Sequence, residues 1–173
     1  MVASKPQAVN VIRKLSSKDN GGVAIFVYPG GEHEQLLTIR GKEKAYILNR
    51  KGFIKLALEE GCDVVPVYAF GESDLFSHSQ IFIKQRMWIQ KKFGVAIPLL
   101  YGSFGLLPYL SEKGITMVFG DGIGLKRSED KMGSKVSNEE IDAGHTLYVK
   151  KLRELFDKEK TALGYGDRVL EIV

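Results

Sequence analysis

The sequence has little or nothing of the features that define several large classes of protein. Its single cysteine, Cys62, cannot form an internal disulfide, which excludes a disulfide-stapled secreted domain and favours a reducing compartment. The first residues contain no apolar core of a signal peptide. No P-loop, zinc-ligand spacing or nucleophile elbow occurs, and residues 120–124 (GDGIG) lack the third glycine at the spacing that a dinucleotide fingerprint requires. None of these common catalytic or nucleotide-binding sites is therefore indicated.

The composition is that of an ordinary globular protein. The 173 residues are 44% hydrophobic and 27% charged, which fits one domain over residues 1–173. The net charge of +4 suits anionic partners such as phosphates or lipid headgroups, although a solvated lysine-rich surface explains it equally simply. Nucleic acid is not an expected partner, because the basic residues are spread out and no nucleic-acid-binding signature accompanies them.

One long run, residues 93–110 (FGVAIPLLYGSFGLLPYL), contains no charged residue. Its length approaches that of a membrane span, but two prolines and three glycines interrupt it. Such breaks would leave backbone groups unpaired in lipid. We therefore expect a buried loop, or a segment that contacts a membrane surface or an acyl chain.

Helical and strand patterns alternate along the chain. Helices are predicted over residues 5–17, 50–60 and 81–93, and from a capping box at Ser137 to about Lys160. Strands are predicted over residues 23–28, 63–70 and 115–119. This alternation favours an α/β fold with a mostly parallel sheet flanked by helices. The loops at residues 29–34, 71–76 and 120–126 would then meet at the carboxyl edge of the sheet, where sites gather.

The first of these loops carries the most distinctive motif. Gly30 and Gly31 end a strand-like run, and Glu32, His33 and Glu34 follow directly. Glycines allow a ligand to approach the backbone closely, and the two carboxylates can bind a hydroxyl or orient a cationic partner. A surface turn with charged tips is the structural alternative.

Two further pairs of charged residues are candidates. Arg50 and Lys51 stand at a predicted helix start, where cations oppose the helix macrodipole, so they suggest binding of a phosphate or carboxylate. Glu72 and Asp74 follow a predicted buried strand. Solvated charge and a polar loop, respectively, are the alternatives.

The remaining histidines and the cysteine are better explained by structure. His145 lies on the apolar stripe of the last helix and is expected to be a packed core residue. His78 lies in a polar run and is expected to be exposed, whereas Cys62 is expected to belong to the core.

Several sequence blocks, taken in order, carry a resemblance to a known family. They are Gly30-Gly31 with Glu34, residues 49–58 (NRKGFIKLAL), 63–72 (DVVPVYAFGE), 88–93 (WIQKKF), 105–109 (GLLPY), 141–148 and 155–158. Together they resemble the type 2 diacylglycerol and monoacylglycerol acyltransferases over almost the whole chain. The resemblance implies a glycerolipid-acyltransferase-like fold, and transfer of a fatty acyl group from acyl-CoA to the hydroxyl of a diacylglycerol-like lipid, as in triacylglycerol synthesis.

The resemblance also implies partners and site residues. Acyl-CoA would be a co-substrate, with no other cofactor and no metal, at the cytosolic face of the endoplasmic reticulum membrane or of a lipid droplet. Self-association into a homo-oligomer is left open. The implied roles are a catalytic or acceptor pocket for Gly30, Gly31, Glu32, His33 and Glu34, phosphate binding for Arg50 and Lys51, and a pocket rim for Glu72 and Asp74.

One part of the family's catalytic machinery is not found. Its general base is a histidine in a His-Pro-His-Gly motif, and these 173 residues contain none. The histidines present also lack the aspartate of a His-x4-Asp pair. We therefore expect the chain to be the C-terminal part of a catalytic domain, truncated at the N-terminus and dependent on an upstream segment. The alternative is a catalytically inactive lipid- or acyl-CoA-binding paralogue or fragment.

Overall fold

The computed structural model describes residues 24–95, 97–105, 107, 109, 114–125 and 135–173, without the side chains of Glu32, His33 and Gln35. The helices are α1 (Gly31–Leu37), α2 (Gly52–Glu60), α3 (Ile83–Phe93) and α4 (Asn138–Glu159). The strands are β1 (Glu43–Ala45), β2 (Val67–Phe70), β3 (Ser77–His78), β4 (Leu100–Tyr101), β5 (Thr116–Phe119) and β6 (Leu170–Ile172). A 3₁₀ turn, Glu72–Asp74, follows β2.

The described strands form three two-stranded sheets. β1 pairs with β6 in parallel, whereas β2 pairs with β5 and β3 with β4 in antiparallel register. The combination of helices and small sheets with a parallel pair agrees with a mixed α/β protein. The prediction of a mostly parallel sheet is wrong for this part of the chain, because strand direction is set by distant pairing that alternation along the sequence does not report.

The predicted helices α2 and α4 are confirmed, with bounds shifted by one or two residues. α2 ends at Gly61, which adopts a left-handed conformation with φ of 65°. α4 begins at the predicted capping box, in which the Glu140 N–H donates to Ser137 Oγ at 3.2 Å and the Ser137 N–H donates to Glu140 Oε2 at 2.9 Å. These local signals position the longest helix of the described chain.

The core lies between α4 and the β2–β5 pair. Phe70 of β2 and Phe156 of α4 are fully buried and stack with ring centroids 5.2 Å apart. Tyr68 meets both rings edge to face at about 5 Å. On the other side, α2 packs against α4 through the buried Ile54. This aromatic centre fixes the end of β2, from which the candidate site is built.

Two other predictions have different outcomes. The helix predicted over residues 5–17 lies outside the described part of the chain. Residues 24–28 form neither helix nor strand, and Val27 and Tyr28 are 56% and 77% exposed, so the predicted buried strand is wrong for them. An apolar run becomes a buried strand only when another strand pairs with it, and no pairing reaches these residues within the described chain.

The uncharged run at residues 93–110 contains β4 and a tight turn at residues 102–105. Its described apolar side chains, among them Leu99, Tyr101 and Phe104, are exposed rather than buried. Over the described residues, none of the helices combines the length and the apolar character that crossing a bilayer requires. The run is therefore an exposed apolar segment and not a buried loop where the structure describes it.

Candidate functional site

Glu34 lies in α1, because the loop predicted at residues 29–34 is in fact the first turn of this helix. Its side chain folds back over the helix start, and its Oε2 accepts a hydrogen bond of 2.9 Å from the backbone N–H of Tyr46, just after β1. A Cβ atom on Gly30 would overlap the Glu34 carboxylate. Glycine at position 30 therefore allows the carboxylate to occupy this position.

The surroundings of Glu34 favour its neutral form. Burial is the largest cause of a pKa raised above the ordinary value of 4.5. The Tyr46 N–H opposes this rise, and the nearby Glu72 carboxylate adds to it. Burial first, and then Glu34 itself, raise the pKa of Tyr148 on α4. Glu34 is therefore a partly buried carboxyl group with a raised pKa, with a second carboxylate and a phenol within electrostatic range.

A buried carboxylate, Glu43, lies next to this region in β1 and is 4% exposed. Its Oε2 accepts a hydrogen bond of 2.6 Å from the Tyr68 hydroxyl. Its Oε1 accepts from the Ser73 hydroxyl at 3.1 Å and from Arg168 Nη1 at 2.6 Å. Burial, and then the bond to Glu43, hold the pKa of Tyr68 far above its ordinary value. Tyr68 therefore remains a hydrogen-bond donor to Glu43.

Arg168 closes the network from the opposite end of the chain. Its Nη2 donates to Asp74 Oδ1 at 2.9 Å while Nη1 binds Glu43. Burial lowers the pKa of Arg168, but the bonds to Asp74 and Glu43 outweigh that effect and raise it. One guanidinium thus balances two carboxylates and ties β1 to the 3₁₀ turn, and among the described residues no ion pair joins Glu34 or Glu72 to a cation.

The structure brings only some of the predicted site residues together. Glu34 and Glu72 interact electrostatically, and Asp74 lies in the same 3₁₀ turn as Glu72. Glu72 is exposed, whereas Asp74 is half-buried against Arg168. Gly71, which precedes the turn, has φ of 89° and lies so close to Gly114 O that a Cβ atom would overlap it. The end of β2 therefore places Glu72 within electrostatic range of Glu34, and the shared site proposed for the two stays a prediction.

The predicted cations lie elsewhere. Lys51 Nζ binds Asp142 Oδ1 on α4 at 2.7 Å, and Arg50 is exposed. Among the described residues, no contact joins Arg50 or Lys51 to Glu34 or Glu72. The ion pair explains why Lys51 is tolerated at the start of α2, and phosphate binding by the two cations stays a prediction.

The outcomes for the remaining candidates differ. The side chains of Glu32 and His33 lie outside the described part, so their roles stay predictions. His145 is a core residue as predicted, 4% exposed, with Nε2 donating to Ile47 O at 2.8 Å. Cys62 packs against the core, and burial raises the pKa of its thiol, which disfavours a nucleophilic role.

The prediction for His78 is wrong: it lies half-buried in β3 rather than exposed. Sequence reasoning also missed Glu43, Ser73 and Arg168. Glu43 stands between two lysines in a strand of three residues, which is too short to show a period, and Arg168 lies in a polar turn before β6. The one available signal was Tyr68, since a tyrosine in a buried strand requires a partner for its hydroxyl.

The chemistry of the site is that of carboxylates and phenols. In the described part of the chain, no group of three or more His, Cys, Asp or Glu side chains is arranged to hold a metal ion. A carboxyl group with a raised pKa beside a hydrogen-bonded, charge-balanced network suits acid–base work, or a hydrogen bond to a hydroxyl substrate.

Comparison with known proteins gives a family. Residues 3–172 match the family model described as diacylglycerol acyltransferase. The chain is 37% identical to Diacylglycerol O-acyltransferase 2 of Homo sapiens, covering 96% of this chain and 45% of the human protein. It is 39% identical to Diacylglycerol O-acyltransferase 1 of Eremothecium gossypii, covering 95% of this chain and 36% of that protein. The chain is also 37% identical to Diacylglycerol O-acyltransferase 2 of Bos taurus, covering 94% of this chain and 47% of the bovine protein.

The chain spans less than half the length of these curated relatives. No solved structure matches it significantly. Since the family model covers nearly every residue, including the whole of the described site, the chain belongs to the diacylglycerol acyltransferase family.

Proposed function

We propose that this chain forms part of an enzyme that transfers a fatty acyl group from acyl-CoA to the hydroxyl of a diacylglycerol-like lipid, giving triacylglycerol. The family match over residues 3–172 carries this proposal. The proposed fold is the glycerolipid-acyltransferase type, with residues 1–173 as part of a single domain. Acyl-CoA acts as co-substrate, and no other cofactor is proposed.

In the reaction, the hydroxyl oxygen of the acceptor forms a bond to the acyl carbon. The proton of the hydroxyl passes to a general base, the thioester C–S bond breaks, and the base returns that proton to the departing sulfur, so that CoA leaves as the thiol. We assign that base to the family's His-Pro-His-Gly segment, which these 173 residues do not contain. The active enzyme therefore requires that segment in addition to this chain.

Glu34 is the group of this chain that we place nearest the chemistry. Its half-buried carboxyl accepts a hydrogen bond from the acceptor hydroxyl or from the histidine base, and in either case orients the proton that moves. What supports this role is its raised pKa and the absence of a neutralising cation among the described residues. Gly30 and Gly31 shape this pocket, and His33 and Glu32 complete it on the acceptor side.

The other proposed roles lie at the periphery. Glu72 and Asp74 form the rim, with Asp74 held by Arg168. Arg50 and Lys51 bind phosphates of acyl-CoA, for which Lys51 must exchange its contact with Asp142. The proposed location is the cytosolic surface of the endoplasmic reticulum membrane or of a lipid droplet, where the acceptor lipid resides.

A chimera tests this function. The part of the human relative that precedes its matched region is joined to residues 1–173, and transfer of labelled acyl chains from acyl-CoA to diacylglycerol is measured in membranes. We expect the chimera to make triacylglycerol and the 173-residue chain alone to make none. Glu34→Gln should lower the rate by about 10²-fold or more, as is usual for a group that assists proton transfer.

The matched control is Glu59→Gln, since Glu59 is an exposed carboxylate of α2, away from the site. It should leave the rate of the chimera unchanged. A chimera that folds and binds acyl-CoA but never turns it over would contradict the proposal and favour the inactive binding paralogue. Equal losses in the Glu34 and Glu59 variants would contradict the role of Glu34.

A further inference from the structure

The outward face of α3 combines lysines with an exposed tryptophan. Lys84, Trp88 and Lys92 are spaced four residues apart, so they lie along one side of the helix, and Lys91 flanks them. All four are exposed, and Trp88 is the only tryptophan of the chain, 57% exposed. We call these four residues the α3 face. Arg86 lies on the opposite side of the helix and is only 5% exposed, so that side packs against the rest of the protein.

The lysines of the α3 face carry positive charge that no carboxylate of the described residues neutralises. No aspartate or glutamate occurs between Asp74 and Glu112. Within the described chain, Lys84, Lys91 and Lys92 make no ion pair, whereas Lys51, Lys55, Lys150, Lys151, Lys158 and Lys160 each lie within 4.0 Å of a carboxylate. Lys92 instead lies over the Trp88 ring, 4.8 Å from its centroid. The face is thus complementary to an anionic surface.

Exposed aromatic residues surround the α3 face. Phe93 lies edge to face with Trp88 at 6.2 Å and is 63% exposed. Phe82, which caps the start of α3, has φ of 55° and is 68% exposed. Transfer of these exposed rings from water to an apolar phase would stabilise the docked state, because apolar surface is then removed from water.

We propose that the α3 face docks on the anionic surface of a lipid bilayer. The lysines contact lipid phosphates and carboxylates while Trp88, Phe82 and Phe93 insert at the boundary between headgroups and acyl chains. This inference rests on the proposed function for the presence of a lipid surface as a partner, and it adds the residues and the lipid charge that the docking requires.

Two other binding partners, a second copy of this chain and nucleic acid, fit the α3 face less well. A symmetric contact with a second copy would place three unneutralised lysines against three others, which is unfavourable. Nucleic acid would use the lysines and Trp88 but would leave Phe82, Phe93 and the neighbouring Ile81 and Val95 in water. Several exposed apolar side chains lie beside the lysines. A lipid bilayer, which has anionic headgroups and an apolar interior, therefore fits these residues better than nucleic acid does.

The experiment uses the full 173-residue chain without acyl-CoA, so that it reports docking and not turnover. Vesicles of phosphatidylcholine with and without phosphatidylserine are added, and Trp88 emission and flotation with the vesicles are measured. We expect a blue shift of the emission and flotation with the anionic vesicles only. The triple variant Lys84→Gln/Lys91→Gln/Lys92→Gln should lose about a hundredfold in partitioning, since each lysine near an anionic surface contributes about fivefold.

The matched control is Lys150→Gln/Lys151→Gln/Lys158→Gln on α4, which removes the same charge from another surface and should bind vesicles like the unmodified chain. Equal losses in both triple variants, or equal binding to vesicles without phosphatidylserine, would overturn the proposal. So would a blue shift that depends on protein concentration alone, or tighter binding to an RNA or DNA oligonucleotide than to the vesicles. Acyl transfer by the chimera in detergent is measured separately, so a failure of either proposal is seen by itself.

Discussion

Arg168 Nη1 and Glu43 Oε1 lie 2.6 Å apart, although 125 residues separate them in the sequence. Glu43 is almost fully buried, and Arg168 also holds Asp74 of the 3₁₀ turn. The pair therefore joins β1, β6 and the end of β2 at one point. Glu72 begins the same 3₁₀ turn two residues before Asp74, so this contact holds the turn that carries Glu72.

Replacing Arg168 by glutamine should destabilise the chain strongly. The substitution leaves Glu43 buried without its cation, and breaking one partner of a buried pair costs about 3 kcal/mol in the free energy of unfolding. Adding Glu43→Gln to this variant should restore part of the loss, since no buried charge is then left. Urea denaturation of the single and double variants measures both effects. Lys44→Gln, which removes the more exposed pair with Glu171, should change stability little, and a similar loss there would contradict the prediction.

The hydroxyl of Tyr68 should resist ionisation. Burial and its bond to Glu43 raise its pKa, so the phenol stays protonated until the chain unfolds at alkaline pH. Tyr68→Phe should therefore leave the tyrosinate absorbance of the folded chain unchanged. The control is the same pair of chains unfolded in urea, where the Tyr68 hydroxyl loses its burial and its bond to Glu43, so that Tyr68→Phe should reduce the signal. A reduction in the folded chain as large as that in the unfolded chain would show that Tyr68 is not protected.

The stability of the chain should depend on the ionisation of Glu34. Its folded pKa lies above 4.5, so the folded state binds the proton more tightly than the unfolded state does. Its contribution to stability is therefore fully present below that value and is lost as the pH rises through the folded pKa. Glu34→Gln cannot ionise, and its stability relative to the unmodified chain should rise over the same range and then level off. Urea midpoints at a series of pH values test this, with Glu59→Gln as the control, and parallel pH profiles for all three chains would refute it.

Two glycines should respond to alanine in opposite ways. Gly71 has φ of 89° and lies against Gly114 O, so Gly71→Ala should cost about 2 kcal/mol or more. Gly52 begins α2 with no positive φ, and a Cβ atom there would meet no atom within 4 Å. Gly52→Ala should therefore be neutral or stabilise the chain by up to about 1 kcal/mol. Thermal denaturation compares the two, and a loss at Gly52 as large as that at Gly71 would contradict the close approach described for Gly71.

The sequence by itself determined the features that are set within one or two turns of chain. The capping box at Ser137 and the apolar stripe that follows it predict α4, and Gly61 predicts the end of α2. The run at residues 115–119 predicts β5. The sequence blocks also give the family, whereas the prediction that Glu34 and Glu72 belong to one site is still to be tested. The helix boundaries depend on contacts between residues that are close in the chain. The family is recognised from the order of the residues itself.

Only the tertiary structure decided how these elements meet. The parallel pairing of β1 with β6 and the antiparallel pairing of β2 with β5 join distant segments, and three- or four-residue strands are too short to show their direction or their partner. Glu43 and Arg168 look like surface charges in the sequence and become a buried pair once those strands close. The energy of such an ion pair depends on how deeply the two side chains are buried and on the distance between them. The local sequence reports neither quantity.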